Sequence, residues 1–344
     1  MKHSLERISV KKIDTSYLMK IWGAALREWL TVMAVFLGAW SGAESAQDMT
    51  LTPLKISEHV YYFHGQSGMA DSANQGFISN AGFVVARDGV VVFDALGTPA
   101  LGAAMVRAIR TITKLPIRRV IVSHYHADHF YGLQALKAEG AEIWAHEGGR
   151  AYLASDVAQS RLALRKVDLK PWVNDATRLV PADKWLRFGA TKEIPFEMGG
   201  LHFRIIDMGG AHSPEDIMLA VDDDKMLFAG DLFFTGRIPF VGEADSKVWL
   251  GALDAMLKIG PKVVVPGHGE MSRAPQRDLQ LTRSYLVYLR RVMGDAVADM
   301  TPFEDAYRKA DWTKFEAYPA FAQANRLNAY QTYLLMERES LQQK

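Results

Sequence analysis

Three histidines and an aspartate crowd into His124-Tyr125-His126-Ala127-Asp128-His129, so three of the ten histidines in 344 residues occupy six consecutive positions. Neutral imidazole and carboxylate are the donors that borderline ions such as zinc prefer, and the chain has no cysteine to offer a thiolate. An isolated histidine is usually a packing or surface residue, but packing alone rarely produces this density. On a tight turn His124 and His126 are expected to converge on one point and Asp128 and His129 on another, which suits two ions rather than one. Three more positions follow a pattern of strand end, polar residue and glycine. These are His212 in Asp207-Met-Gly-Gly-Ala-His212, Asp231 in Ala229-Gly-Asp231-Leu232, and His268 in Pro266-Gly-His268-Gly269. Glycine permits the close backbone approach that ligand loops at a sheet edge require.

The elements around these residues must present them at one edge. Ile117 to Val122 reads as a buried strand feeding the histidine turn, and Phe130 to Glu139 as a helix leaving it. Before them come strands at His59–His64, Gly76–Val85 and Gly89–Asp94, then a helix from Thr98 to Thr113 with Thr98 as N-cap before Pro99. After them come strand Glu142–His146 and helical spacing over Gly149–Val167, while 168–183 has no regular pattern. Strands then restart at Leu201–Asp207, Asp216–Val221, Lys225–Ala229 and Lys262–Pro266, with a helix over Lys247–Ile259. Each half gives strands and then helices, so two face-to-face sheets with helices outside is the natural architecture. His59, His64, His146 and His202 follow strand alternation and read as structural, and Tyr125 and Tyr131 as packing.

Composition narrows the class further. At 49% hydrophobic with a net charge of +1, the chain can bury a large core and lacks the basic stripe of a nucleic-acid binder. Residues 1–45 place basic, apolar and small residues in that order, around the uncharged run Trp29–Trp40, as a secretory signal peptide does. That run is shorter than the ~20 residues of a membrane span, so stable insertion after signal removal is not expected. The expected location is periplasmic or secreted, in a bacterium. Residues 51–275 then form the catalytic domain. Residues 276–344 form a helical extension that caps the core or mediates self-association into a homo-oligomer, with no catalytic role.

With His124-x-His126-x-Asp128-His129 followed by His212, Asp231 and His268, the chain resembles the metallo-β-lactamase superfamily over roughly residues 55 to 275. The resemblance implies an α/β fold, an αββα sandwich of two mixed β-sheets with helices on the outer faces, here with the C-terminal helical extension. It also implies two Zn2+ per chain. His124, His126 and His212 would hold the first ion, Asp128, His129 and His268 the second, with Asp231 bridging. Asp94 matches a frequent supporting acid behind a ligand histidine. The implied reaction is attack of a shared hydroxide on an acyl carbon of a small ester, thioester, lactone or lactam, with Asp128 and Asp231 holding the nucleophile in line. Asp231 stands where β-lactamases carry cysteine or serine, so the site is more similar to that of glyoxalase II and lactonases. His126 stands where oxygen-reducing diiron relatives carry glutamate, which favours hydrolysis. The alternative is a mononuclear iron sulfur dioxygenase of the same fold. The loops Gly65–Gln75 and Leu232–Phe240 are expected to flank the site, with Arg237 either meeting an acidic group or solvated.

Overall fold

Side-chain alternation along the strands sorts the apolar residues into layers. The computed structural model describes residues 49–342, and the leader read at 1–45 lies outside them. One sheet contains, in chain order, β1 (Leu54–Lys55), β2 (Val60–Phe63), β3 (Ala81–Ala86), β4 (Gly89–Phe93), β5 (Ile117–Ile121), β6 (Glu142–His146) and β7 (Lys184–Leu186). Pairing is antiparallel up to β4 and parallel from β4 to β7. The second sheet contains β8 (Glu193–Met198), β9 (Leu201–Asp207), β10 (Ile217–Val221), β11 (Met226–Phe234) and β12 (Val263–His268). Its spatial order is β12-β11-β10-β9-β8, with only β11 and β12 parallel. The helices are α1 (Pro99–Ile112), α2 (Ala127–Phe130), α3 (Leu133–Ala138), α4 (Gly149–Leu153), α5 (Asp156–Asp168), α6 (Ser246–Ile259), α7 (Pro275–Asp278), α8 (Gln280–Ala298), α9 (Phe303–Lys309) and α10 (Phe321–Gln342).

Three buried clusters show the layering. Val91 and Phe93 of β4 join Phe203, Ile205, Leu219 and Phe228 between the sheets. Val90 and Val92 turn the other way, onto Leu101, Met105 and Ile109 of α1. In the second sheet Met218, Leu227 and Val264 face outward onto Trp249 and Leu253 of α6 and Tyr285 and Leu289 of α8. The fold is therefore an αββα sandwich of two mixed sheets, with the C-terminal helices added to its second outer face. Because both sides of β4 are covered, all five of its residues are buried and its sequence is a continuous apolar run.

Local signals set the helix ends. The Thr98 hydroxyl accepts from the Leu101 amide at 3.2 Å ahead of Pro99, as its sequence predicts. The helix expected over Phe130–Glu139 instead begins at Ala127 and breaks into α2 and α3 at Gly132. A Cβ at Gly132 would lie 1.9 Å from the Ala95 carbonyl oxygen, so the chain passes too close for any other residue. Strands β1, β7 and β8, which the sequence reading left out, all lie at sheet edges, and β8 contains Pro195, which a central ladder would not accept. Among the described residues no helix is long and apolar enough to cross a membrane.

Candidate metal centre

Every predicted ligand residue lies at one edge of the sandwich. Strand β5 delivers His124 and His126, α2 carries Asp128 and His129, the β9–β10 loop carries His212, and β11 and β12 carry Asp231 and His268. Two register shifts between β11 and β12, on either side of Gly230, re-aim Asp231 toward the edge. Gly230 adopts φ +53°, and a Cβ at Gly267 would lie 2.0 Å from Asp231 Oδ1. Both positions therefore require glycine, the first for its backbone conformation and the second for space.

The donors fall into two groups, His124, His126, His212 and Asp231 in one and Asp128, His129 and His268 in the other. In the first, His212 Nε2 lies 3.0 Å from His126 Nδ1, and Asp231 Oδ2 lies 3.4 Å from His212 Nε2 and 4.0 Å from His124 Nε2. In the second, Asp128 Oδ2 lies 3.6 Å from His129 Nε2 and 3.3 Å from His268 Nε2. The other oxygen of Asp231, Oδ1, lies 3.1 Å from His129 Nε2 and 3.3 Å from His268 Nε2. Asp231 thus faces one group with each oxygen. Two donors ~2.05 Å from a tetrahedral zinc are about 3.3 Å apart, close to these separations. His124 Nε2, His129 Nε2 and Asp231 Oδ1 are buried with no hydrogen-bond partner. Orphaned buried polar atoms facing one another are costly for a protein alone and fit a cation between them.

Three of the imidazoles, His124, His129 and His268, are held through their outward-facing Nδ1. His129 Nδ1 donates to Asp94 Oδ2 at 2.8 Å, and His268 Nδ1 donates to the Ile78 carbonyl at 2.7 Å. Ser123 Oγ sits 2.9 Å from His124 Nδ1 and donates to Asp94 Oδ2 at 2.8 Å, while its amide donates to Asp94 Oδ1 at 2.7 Å. Asn80 clasps the end of β12, its Nδ2 donating to the Pro266 and Gly269 carbonyls at 2.8 and 2.7 Å. Ser123 and Asn80 are not apparent from sequence, since a lone serine or asparagine carries no local signal of a distant partner.

Charge divides the two groups. Burial, with His212 beside it, pulls the His126 imidazole down to about 3, and burial pulls His212 down to about 4. Burial also holds His124 well below its ordinary value, so these three stay neutral with lone pairs free. Burial opposes ionisation of Asp128 and Asp231, yet His129 and His268 hold both carboxyls below the usual carboxylate range. The same carboxylates outweigh burial at His129 and His268 and push both upward.

Around the centre, Phe240 lies edge-on to His126 with ring centroids 6.3 Å apart. Arg237 is buried rather than solvated, and its Nη1 donates to the Gly68 carbonyl at 2.9 Å, tying together the two loops expected to flank the site. Burial pushes this guanidinium down, against Asp231 and Asp128. Among the described residues, the other histidines belong to neither donor group. His59 pairs with Asp224 at 2.9 Å, His202 lies 3.3 Å from Asp223, and His146 accepts from the Gly148 amide at 3.0 Å. Tyr125 and Tyr131 are fully buried in the core, as packing residues are.

Comparison with known proteins agrees with this geometry. Residues 74–268 match the family model described as the metallo-beta-lactamase superfamily. The chain is similar to metallo-beta-lactamase IND-1 of Chryseobacterium indologenes, 19% identical over 244 residues that cover 70% of this chain and 90% of the relative. It is also similar to a linear primary-alkylsulfatase of Pseudomonas sp., 21% identical over 245 residues that cover 60% of this chain and 45% of the relative. Among solved structures, the sec-alkylsulfatase Pisa1 from Pseudomonas sp. aligns with TM-score 0.60 at 18% identity, covering 83% of this chain and 50% of its own. The metallo-beta-lactamase FIM-1 from Pseudomonas aeruginosa, in its mono-zinc form, aligns with TM-score 0.52 at 21% identity, covering 70% of this chain and 98% of its own. The chain therefore spans about half the length of the alkylsulfatases it matches.

Proposed function

The chain belongs to the metallo-beta-lactamase superfamily and is a hydrolytic enzyme of it, and from that premise we propose a zinc-dependent hydrolase with a two-ion centre, acting on an ester, thioester, lactone or lactam. The observation that carries this reading is Asp231, whose two oxygens face separate donor groups. A zinc pair held there would supply a hydroxide at neutral pH and electrophilic help to the scissile group. His124, His126 and His212 would hold the first ion, Asp128, His129 and His268 the second, and Asp231 both. Asp231 and Asp128, kept anionic, orient the attacking water toward the acyl carbon. Asp94, Ser123 and the Ile78 carbonyl fix the imidazoles from behind, which sets which nitrogen is free. Phe240 walls the site above His126, and Arg237 holds the 65–75 loop against it.

A hydrolysis screen over those four acyl classes with dizinc protein tests the proposal, and turnover in one class with loss of both metal and activity in His126→Ala is the expected result. Full activity and metal content in that variant would end the mechanism. Sulfate esters belong in the same screen as a second reading, because the alkylsulfatase Pisa1 aligns over 83% of this chain against 70% for FIM-1. A mononuclear iron dioxygenase is not favoured, since a single ion leaves one donor group and its buried orphan atoms unanswered. Export belongs to the same proposal, supported by the order of basic, apolar and small residues before Gln47. N-terminal sequencing of the mature protein should begin after Ala43 or Ser45, and an intact leader on cytosolic protein would contradict it.

A further inference from the structure

A buried asparagine ties the C-terminal helices to the wall beside the metal centre. Between Phe234, where β11 ends, and Asp245, which caps α6, the chain forms the wall that carries Arg237 and Phe240. Asn328 of α10 is fully buried and grips this wall with both ends of its carboxamide. Oδ1 accepts from the Val241 amide at 2.8 Å, and Nδ2 donates to the Pro239 carbonyl at 2.8 Å. A carboxamide pairs with a peptide segment in this way only in one orientation, and that orientation is itself held. Asn328 Nδ2 also donates to Tyr285 Oη of α8 at 3.0 Å, and Tyr285 Oη donates to Asn325 Oδ1 at 2.8 Å. Two more bonds secure the flanks. The Ile238 amide donates to the Pro319 carbonyl at 3.3 Å, and Thr282 Oγ1 of α8 accepts from the Phe234 amide at 3.2 Å. Gly68, bonded to Arg237, extends the chain of contacts to the opposite loop.

A surface cap would need only apolar contact with the sandwich. Burying two carboxamides and a phenol instead costs desolvation unless every polar group is satisfied, and here the satisfied partners include the backbone of the active-site wall. We infer that Asn328, oriented by Tyr285, is a positioning residue that fixes the Ile238–Val241 wall, and with it Phe240 over His126, so that the C-terminal extension shapes the substrate side of the metal centre. Neither residue touches a donor of the two metal-binding groups, so loss of the tether changes how substrate is held while metal loading persists.

Hydrogen exchange of the full-length, metal-loaded protein tests this directly. In Asn328→Leu the Val241 amide loses its acceptor, and exchange across 238–242 is expected to rise roughly tenfold while metal per chain stays at the wild-type value. Steady-state kinetics on the best substrate of the screen should show KM rising severalfold with a smaller change in kcat. Glu339→Gln, which weakens the Arg290–Glu339 pair of the same helices at 2.8 Å without touching the wall, should leave exchange across 238–242 unchanged. Should Asn328→Leu not fold, Tyr285→Phe removes the hydroxyl that orients Asn328 and must move exchange and KM in the same direction, by less. Wild-type exchange and KM in a folded Asn328 or Tyr285 variant, or equal acceleration in Glu339→Gln, would overturn the assignment. Because KM exists only if the site hydrolyses one of the substrates proposed above, the exchange arm, which needs no substrate, separates failure of that reading from failure of the tether.

Discussion

Replacing Asp94 by asparagine isolates the support behind the second donor group. Asp94 is fully buried at φ +62°, a backbone region that asparagine tolerates nearly as well as aspartate, so the exchange leaves the chain in place. Its carboxylate accepts three bonds of 2.7 to 2.8 Å, from the Ser123 amide, Ser123 Oγ and His129 Nδ1. An amide has one accepting end. If its oxygen stays on His129, its NH2 group meets the Ser123 N–H, leaving a buried donor orphaned at a cost of about 1–3 kcal/mol. If the amide turns, His129 must accept at Nδ1 and carry its proton on Nε2, which blocks the nitrogen facing Asp231. In either case His129 loses a charge-assisted bond, and affinity for the second ion should fall about 10- to 100-fold. Competition with a chromogenic zinc chelator measures that affinity, and chemical denaturation of the metal-free protein measures the stability loss. Second-ion affinity within about twofold of wild type, beside an unchanged unfolding midpoint, would refute the role of Asp94.

Other perturbations reach the same centre. Gly267→Ala places a Cβ 2.0 Å from Asp231 Oδ1 and 2.8 Å from the Asp231 amide. It should cost about 1–3 kcal/mol by denaturation and reduce bound metal in elemental analysis, and full metal content would contradict the packing argument. Protons should compete unequally for the two groups: the neighbouring carboxylates push His129 and His268 upward, while burial pulls His126 and His212 down to about 3 and about 4. As pH falls from 8 toward 5, dialysed protein should lose the ion at Asp128, His129 and His268 first, in a step from two ions to one; the reverse order would contradict it. Phe240→Ala should leave metal content intact and raise KM on the best substrate of the screen, and an unchanged KM would remove Phe240 from the substrate wall.

Central strands were legible in the sequence because burial on both faces writes a continuous apolar run, as in Val90-Val-Val-Phe93. Edge strands such as β8 were not, since one exposed side and Pro195 erase that pattern. The seven candidate donors were legible because four of them, three histidines and an aspartate, share the turn at 124–129 and the other three stand among glycines that their geometry demands. The residues that hold the donors were not. Asn80 reaches carbonyls 186 and 189 positions away, and Asn328 reaches back 87 and 89 positions, so neither contact leaves a trace in local spacing. The helices after Pro275 were legible as helices, but their link to the wall beside His126 depends on two buried hydroxyls in α8 and two buried asparagines in α10 that look like ordinary helix residues.

Anomalous diffraction at the zinc edge on crystals grown with zinc is the most direct test. Two peaks are predicted, one within bonding distance of His124 Nε2, His126 Nδ1 and His212 Nε2, the other of Asp128 Oδ2, His129 Nε2 and His268 Nε2, with Asp231 touching both. A single peak, or none between those two groups, would contradict a centre in which one carboxylate joins two ions.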